Sequence, residues 1–356
     1  MRRPFNPDML ALARDAKGFT QTELIGTLGD AMSQAKLSKI ENGLVSPSGE
    51  DVAALASALG FRPEFFFHPH TRRSEPATYH RKRKKLAKKD WSKIYATAEI
   101  YRISTALFLK SIELAPPAPP PPAIDPDQHD GRIEEIALAV RQLWALPRGP
   151  VEDVTSLLER AGVVVISYDF GNDLCDGFTQ HATGDMPPVV FVNTRQPKDR
   201  LRYSLAHELG HVVMHRLPNP DMEHQENRFA SEFLMPTSEV TKDFYNMSID
   251  KFMSLKMHWR VSMQSLIMKA HQVGRMSDSA YRYYMINMSK RGWRTREPVE
   301  LTNVKESPRL LLQLVNGHMN QLAYSLDDMS QLIGIPPSAV EDLYGLKSRP
   351  RLRIVS

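Results

Sequence analysis

The sequence predicts a multidomain protein, with an all-α N-terminal domain, an α+β core in the second half of the chain and a helical C-terminal region. Three observations carry this. Residues 6 to 67 read as short amphipathic helices cut by Gly18, Gly29, Gly43 and Gly60. The run Ala115 to Ala123 holds six prolines in seven positions and reads as an extended polyproline II spacer between the two parts. Beyond it, the β-branched runs Val163 to Asp169 and Pro187 to Asn193 stand among helical patterns and read as strands.

In chain order, residues 1–70 form the first domain, and 71–114 a basic segment followed by one longer helix over 91–114. Residues 115–131 are the proline-rich linker. The α+β domain covers 132–275, with helices expected at Ile133 to Trp144, Val151 to Ala161, Asp199 to His215 and Met222 to Leu234, the last stopped by Met235-Pro236. Residues 276–356 are helical, with Leu326 to Leu346 patterned like a small bundle and read as a cap on the α+β domain.

The 356 residues are 42% hydrophobic and 24% charged, as expected of a soluble globular chain. No apolar run approaches the length of a membrane span, and the N-terminus has no apolar leader, so no membrane partner is expected. The single cysteine, Cys175, excludes an intramolecular disulfide and a multi-cysteine metal site, and fits a reducing, cytoplasmic setting. The net charge of +5 is concentrated in His80 to Lys89, where seven of ten residues are Lys or Arg. Such a run binds a phosphate backbone or stays solvated.

Residues 205–211, Leu-Ala-His-Glu-Leu-Gly-His, hold H-E-x-x-H inside a helical pattern. Four-residue spacing puts His207 and His211 on one helix face, where both imidazoles reach one ion, with Glu208 beside the first as general base. Nitrogen and carboxylate donors around an open position favour Zn2+. A third ligand comes from elsewhere. Met214 and Leu217 stand where a long zincin motif needs Gly and His, so that class is excluded. Glu223 with Asn227 four residues later is similar to the arrangement of thermolysin-like enzymes, in which a glutamate ligand on the next helix is followed by a polar residue that orients a histidine. Glu223 is the favoured ligand and Glu226 the alternative. His215, one turn beyond His211, is read as lining or supporting the site, and His181, His215 and Tyr203 as candidates for stabilising an oxyanion. With zinc in place, Glu208 takes a proton from water and passes it to the leaving amine.

The stretch from Arg200 to His215, followed by Asn227-Arg228-Phe229-Ala230-Ser231-Glu232-Phe233-Leu234-Met235-Pro236, resembles the ImmA/IrrE family of metallopeptidases over residues 133 to 275. The family's E-x-E-A-N-x-F-A-x-x-L-L-M-P block aligns Glu223 with its first glutamate and Asn227 with its asparagine. Gln225 and Glu226 depart from it, standing where the family has Glu-Ala. The resemblance implies a zincin-like core that cleaves a regulatory protein, typically a repressor of a mobile element or of a stress response.

Residues 6 to 67 resemble an XRE-type helix-turn-helix domain, through Phe19-Thr20-Gln21-Thr22-Glu23-Leu24, Ser33 to Gly43 and Leu55 to Gly60. That implies contact with double-stranded DNA through Gln21, Ser33, Gln34, Lys36 and Lys39, with the helix over 33–42 in the major groove. The turn between Gly29 and Glu41 is two residues longer than usual, through Asp30-Ala31. Ile25 stands where a small residue allows close packing, and neighbouring Gly26 is the candidate to take that role. The rival use of this domain is dimer formation or substrate capture. The whole reads as a zinc endopeptidase of a protein substrate, directed by its helix-turn-helix domain. The alternatives are a DNA-binding regulator whose peptidase-like domain only senses, and an interaction protein that merely retains the metal fold.

Overall fold

The computed structural model describes residues 3–70, 86–215, 219–301, 304 and 306–346. The chain forms two compact units. The first unites residues 1–113 with residues 311–356, and the second spans 114–310. The part of the basic run from His80 to Lys85 lies outside the described residues.

In the first unit, α1 (Pro7–Lys17), α2 (Gln21–Leu28), α3 (Gln34–Glu41) and α4 (Gly49–Leu59) are each opened by a side-chain cap. Thr20 with Glu23, and Ser48 with Asp51, form reciprocal capping boxes that satisfy otherwise orphaned N–H groups. Gly29–Ala31 winds into a 3-10 turn, which takes up the two extra residues between α2 and α3. Gly26 is exposed and faces open space, so it does not supply the close contact expected of it beside the half-buried Ile25. The long α5 (Lys88–Phe108) begins with the end of the basic run, and Lys89 Nζ lies 2.8 Å from Glu23 Oε1.

The second unit starts with the proline segment, which is bound to its surface rather than free. Ala118 N donates to Arg160 O at 3.0 Å, Trp144 Nε1 to Pro119 O at 2.9 Å and Ile124 N to Val213 O at 2.9 Å. A polyproline backbone keeps its carbonyls, and its non-proline N–H groups, available for such docking. Next come α6 (Ile133–Leu143) and α7 (Val154–Arg160). Three strands follow: β1 (Val164–Tyr168), β2 (Gly177–Gln180) and β3 (Val189–Asn193). The sheet order is β1-β3-β2, with β1 parallel and β2 antiparallel to β3. The sequence reading had β1 and β3 but not β2. At Gly177 an added Cβ would meet Phe191 O at 2.8 Å, so only glycine lets β2 approach β3 this closely.

Behind the sheet run α8 (Lys198–Met214) and α9 (Met222–Leu234). They pack through Leu205, Leu209, Val213, Phe229 and Phe233, all essentially buried. Burying each such side chain contributes about 1.5–3 kcal/mol, which is what holds the two helices in register. The short α10 (Thr237–Val240) leads to α11 (Ile249–Trp259), α12 (Met263–Gln272) and α13 (Asp278–Lys290). Buried ion pairs of this unit join Arg202 to Glu306, Lys256 to Asp199 and Glu297, and Lys269 to Glu232.

The last helices, α14 (Leu310–Asn320), α15 (Leu326–Ile333) and α16 (Pro337–Tyr344), cluster with the N-terminal helices. This corrects the expected cap on the α+β domain. Arg62 N donates to Gly334 O at 2.9 Å, and Tyr344 Oη to Ser104 Oγ at 2.6 Å. Among the described residues no helix is long and apolar enough to cross a membrane.

Candidate metal centre

The site is built on α8, whose histidine face turns towards α9. His207, Glu208, His211 and the α8 C-cap residue His215 are each at most 5% exposed, an unusual degree of burial for four neighbouring polar side chains. Ring centroids are 5.3 Å apart for His207 and His211, and 5.5 Å for His211 and His215, as one-turn spacing requires. Gly210 sits between them on the α9 side. A Cβ there would come within 3.3 Å of Phe229 Cδ1, so glycine allows the two helices to cross closely.

That crossing brings two carboxylates to the histidines. One ligand atom from each of His207, His211, Glu223 and Glu226 falls within a group no more than 4.8 Å across. Glu223 is half-buried and Glu226 is fully buried. The favoured and the alternative carboxylate therefore both reach the centre. Glu226 Oε2 lies 3.2 Å from His207 Nε2, and its Oε1 lies against His211 Nδ1 and 2.7 Å from His215 Nδ1. His215 completes its contacts with Nε2 on Gln225 Oε1 at 2.7 Å, and burial holds its pKa below the ordinary imidazole value.

Two imidazoles and two carboxylates brought to one point, Glu223 half-buried and the others buried, are a donor set suited to a divalent cation. Burying carboxylates is expensive unless positive charge meets them, and an ion of charge two does so without protons.

Glu208 points to the sheet side. Its Oε2 accepts from Thr179 Oγ1 at 2.9 Å, and its main-chain oxygen accepts from the same hydroxyl at 3.3 Å. Thr179 lies on β2, so the strand absent from the sequence reading is the one that aims the base. Gly177, two residues earlier on β2, leaves room for the Glu208 Cγ, which an added Cβ would meet at 3.5 Å.

Asn227 does not take the orienting role assigned to it. Its Nδ2 donates to Glu223 O, and its main-chain oxygen accepts from Tyr203 Oη at 3.1 Å. Gln225 holds His215 instead. A cavity of about 1270 Å³ begins one helical turn from His207, along Tyr203 and Asn227, and is walled by Arg200, Trp293 and Arg294.

Residues 158–271, which span this centre, match the family model of the IrrE N-terminal-like domain, a peptidase family. These residues are similar to an IrrE N-terminal-like domain. Residues 8–64 match the model of a helix-turn-helix domain. No curated protein matches the chain. The IrrE-like domain thus holds β1 to α12 as one block, with α8 and α9 at its centre.

In the helix-turn-helix domain, Ser33 caps α3, its Oγ accepting from Lys36 N at 3.3 Å. Gln34 and Lys39 are exposed. Gln21 and Lys36 are engaged within the domain, Gln21 Nε2 on Glu41 Oε2 and Lys36 Nζ on Asp51 Oδ1, each at 2.6 Å. Arg14 Nε reaches the other oxygen of Glu41, also at 2.6 Å.

Proposed function

We propose that the chain is a zinc-dependent endopeptidase that cleaves a regulatory protein, with a helix-turn-helix domain that binds double-stranded DNA or a partner. The observation that carries the reading is the convergence of His207, His211 and the α9 carboxylates beside a buried, oriented Glu208. His207, His211 and Glu223 would hold the ion. A divalent ion bound there supplies Lewis acidity to a peptide carbonyl and lowers the pKa of water.

The remaining chemistry belongs to side chains of the chain itself. Glu208 accepts the proton of the attacking water and gives it to the departing amide nitrogen. Thr179 holds one oxygen of Glu208 by a hydrogen bond of 2.9 Å, which fixes the carboxylate beside the histidines. A domain that only sensed a ligand would have no use for a base held in this way, so proteolysis is the better reading. On α3, Gln34 and Lys39 are the residues left free to meet a base edge and a phosphate.

Zinc content is the test. Wild-type protein equilibrated with zinc and freed of excess should retain one equivalent. His211→Ala should retain almost none, while its circular dichroism is unchanged. Equal zinc in the two proteins would remove His211 from the centre and defeat the reading.

A further inference from the structure

Glu226 is more deeply placed in this centre than the glutamate the family block aligns with a ligand. It is fully buried, and its two oxygens face ring nitrogens of all three α8 histidines. The approach is built into the main chain. At Gly210 an added Cβ would lie 3.5 Å from both Cα and Cγ of Glu226, so α8 and α9 meet here at van der Waals contact and the carboxylate lies against the histidine helix. Glu223, one turn earlier on the same helix, belongs to the same group of ligand atoms.

We propose that Glu226 is a fourth protein ligand, so that the centre grips its ion with two imidazoles and two carboxylates and is latent as it stands. The proposal rests on the metal-centre reading above and adds how that centre is controlled. Two arguments support it. Two carboxylates cancel the charge of a divalent ion, so the ion and its four ligands form a neutral unit, buried except at the half-buried Glu223. Catalytic zinc sites keep three protein ligands and an open position, whereas four protein ligands are the pattern of a closed site. With Glu226 on the ion, the position needed by the water that Glu208 deprotonates is taken.

His215 Nδ1 is 2.7 Å from Glu226 Oε1, and its ring is fixed from the far side by Gln225. Substrate that displaces Glu226 from the ion opens the position that the carboxylate takes.

The rival role is that Glu226 merely orients His211 through its Nδ1, as carboxylates behind ligating histidines do. Full-length wild type, E226Q and E226D are loaded with Co2+, and acetohydroxamate is titrated as a probe of the open position, read by visible absorption. A fourth ligand predicts that E226Q binds Co2+ about 10- to 100-fold more weakly than wild type. It also predicts that E226Q, once loaded, binds acetohydroxamate at least about tenfold more tightly, the 1.4 kcal/mol of one decade. E226D, with its carboxylate one methylene further back, should move in the same direction, and stands in if E226Q does not fold. Acetohydroxamate affinity unchanged from wild type in the folded variant overturns the proposal, whatever happens to Co2+ affinity. If wild type takes up neither Co2+ nor Zn2+, the metal-centre reading falls with it. Metal uptake by wild type with unaltered variants sinks the fourth ligand alone.

Discussion

The two helices proposed to carry function, α3 and α8, treat water in opposite ways. On α3 the polar side chains Gln34 and Lys39 face solvent, and the apolar Leu37 and Ile40 are buried. On α8 the polarity is inverted, with three histidines and a glutamate buried together with Leu205 and Leu209. A helix that reads a charged polymer needs its side chains free, since phosphate contacts are made by displacing counterions at the surface. A helix that performs acid–base chemistry needs its groups desolvated and fixed in place before substrate arrives. Burial of ionisable residues is therefore the sharper sign of chemistry, and exposure of similar residues is the sign of docking.

The ion pairs of the two units show the same contrast, and mutation can break it. Arg202 and Glu306 are fully buried, and Glu306 also accepts from Val154 N and Thr155 N at the start of α7. Arg202→Ala leaves that carboxylate without its cation and should cost about 3–5 kcal/mol in urea unfolding. Lys36 lies 2.6 Å from Asp51 but keeps 44% of its side chain exposed, and Lys36→Ala should cost at most about 1 kcal/mol. Equal effects of the two substitutions would erase the distinction. Within the site, Thr179→Val keeps the shape and removes the hydroxyl that holds Glu208. A hydrogen bond to a charged group is worth about 1.5–3 kcal/mol, so peptidase activity should fall about 10- to 100-fold, with zinc content unaltered. Activity equal to wild type would free Glu208 from any dependence on β2. On α3 the effect is smaller. Lys39→Ala should weaken DNA binding uniformly across sequences and reduce the slope of log affinity against log salt by about 1. A slope identical to wild type would turn this face towards dimerisation or substrate capture.

Periodic elements were legible in the sequence, and long-range placement was not. The α8 pattern was expected from about Asp199 to His215 and lies at Lys198–Met214, and α9 lies at Met222–Leu234 as expected. Both helices carry strong apolar faces that any observer of the sequence can trace. β2 has four residues, Gly177-Phe178-Thr179-Gln180, too few for a pattern, and exists through its antiparallel pairing with β3. Thr179 was invisible for the same reason. The hinge between Glu223 and Glu226 as ligands was also beyond local reading, because both are on α9 and only the crossing at Gly210 sets how near each comes. The helices α15 and α16 were legible as helices. Their attachment beside Phe65 rests on contacts more than 200 residues apart in sequence, such as the hydrogen bond from Tyr344 to Ser104. The proline segment was legible as extended, but its docking depends on main-chain carbonyls of α7 and α8 and on the indole N–H of Trp144, which composition does not reveal.

The central claim is that this IrrE-like domain cleaves peptide bonds with Glu208 as base. The most direct test incubates zinc-loaded wild type and Glu208→Gln with a proteome-derived peptide library and counts new N-termini by mass spectrometry. Wild type should generate new termini, and the variant should be slower by about 100- to 10,000-fold while retaining the same zinc. Equal cleavage by the two zinc-loaded proteins, or none by wild type, would contradict the claim.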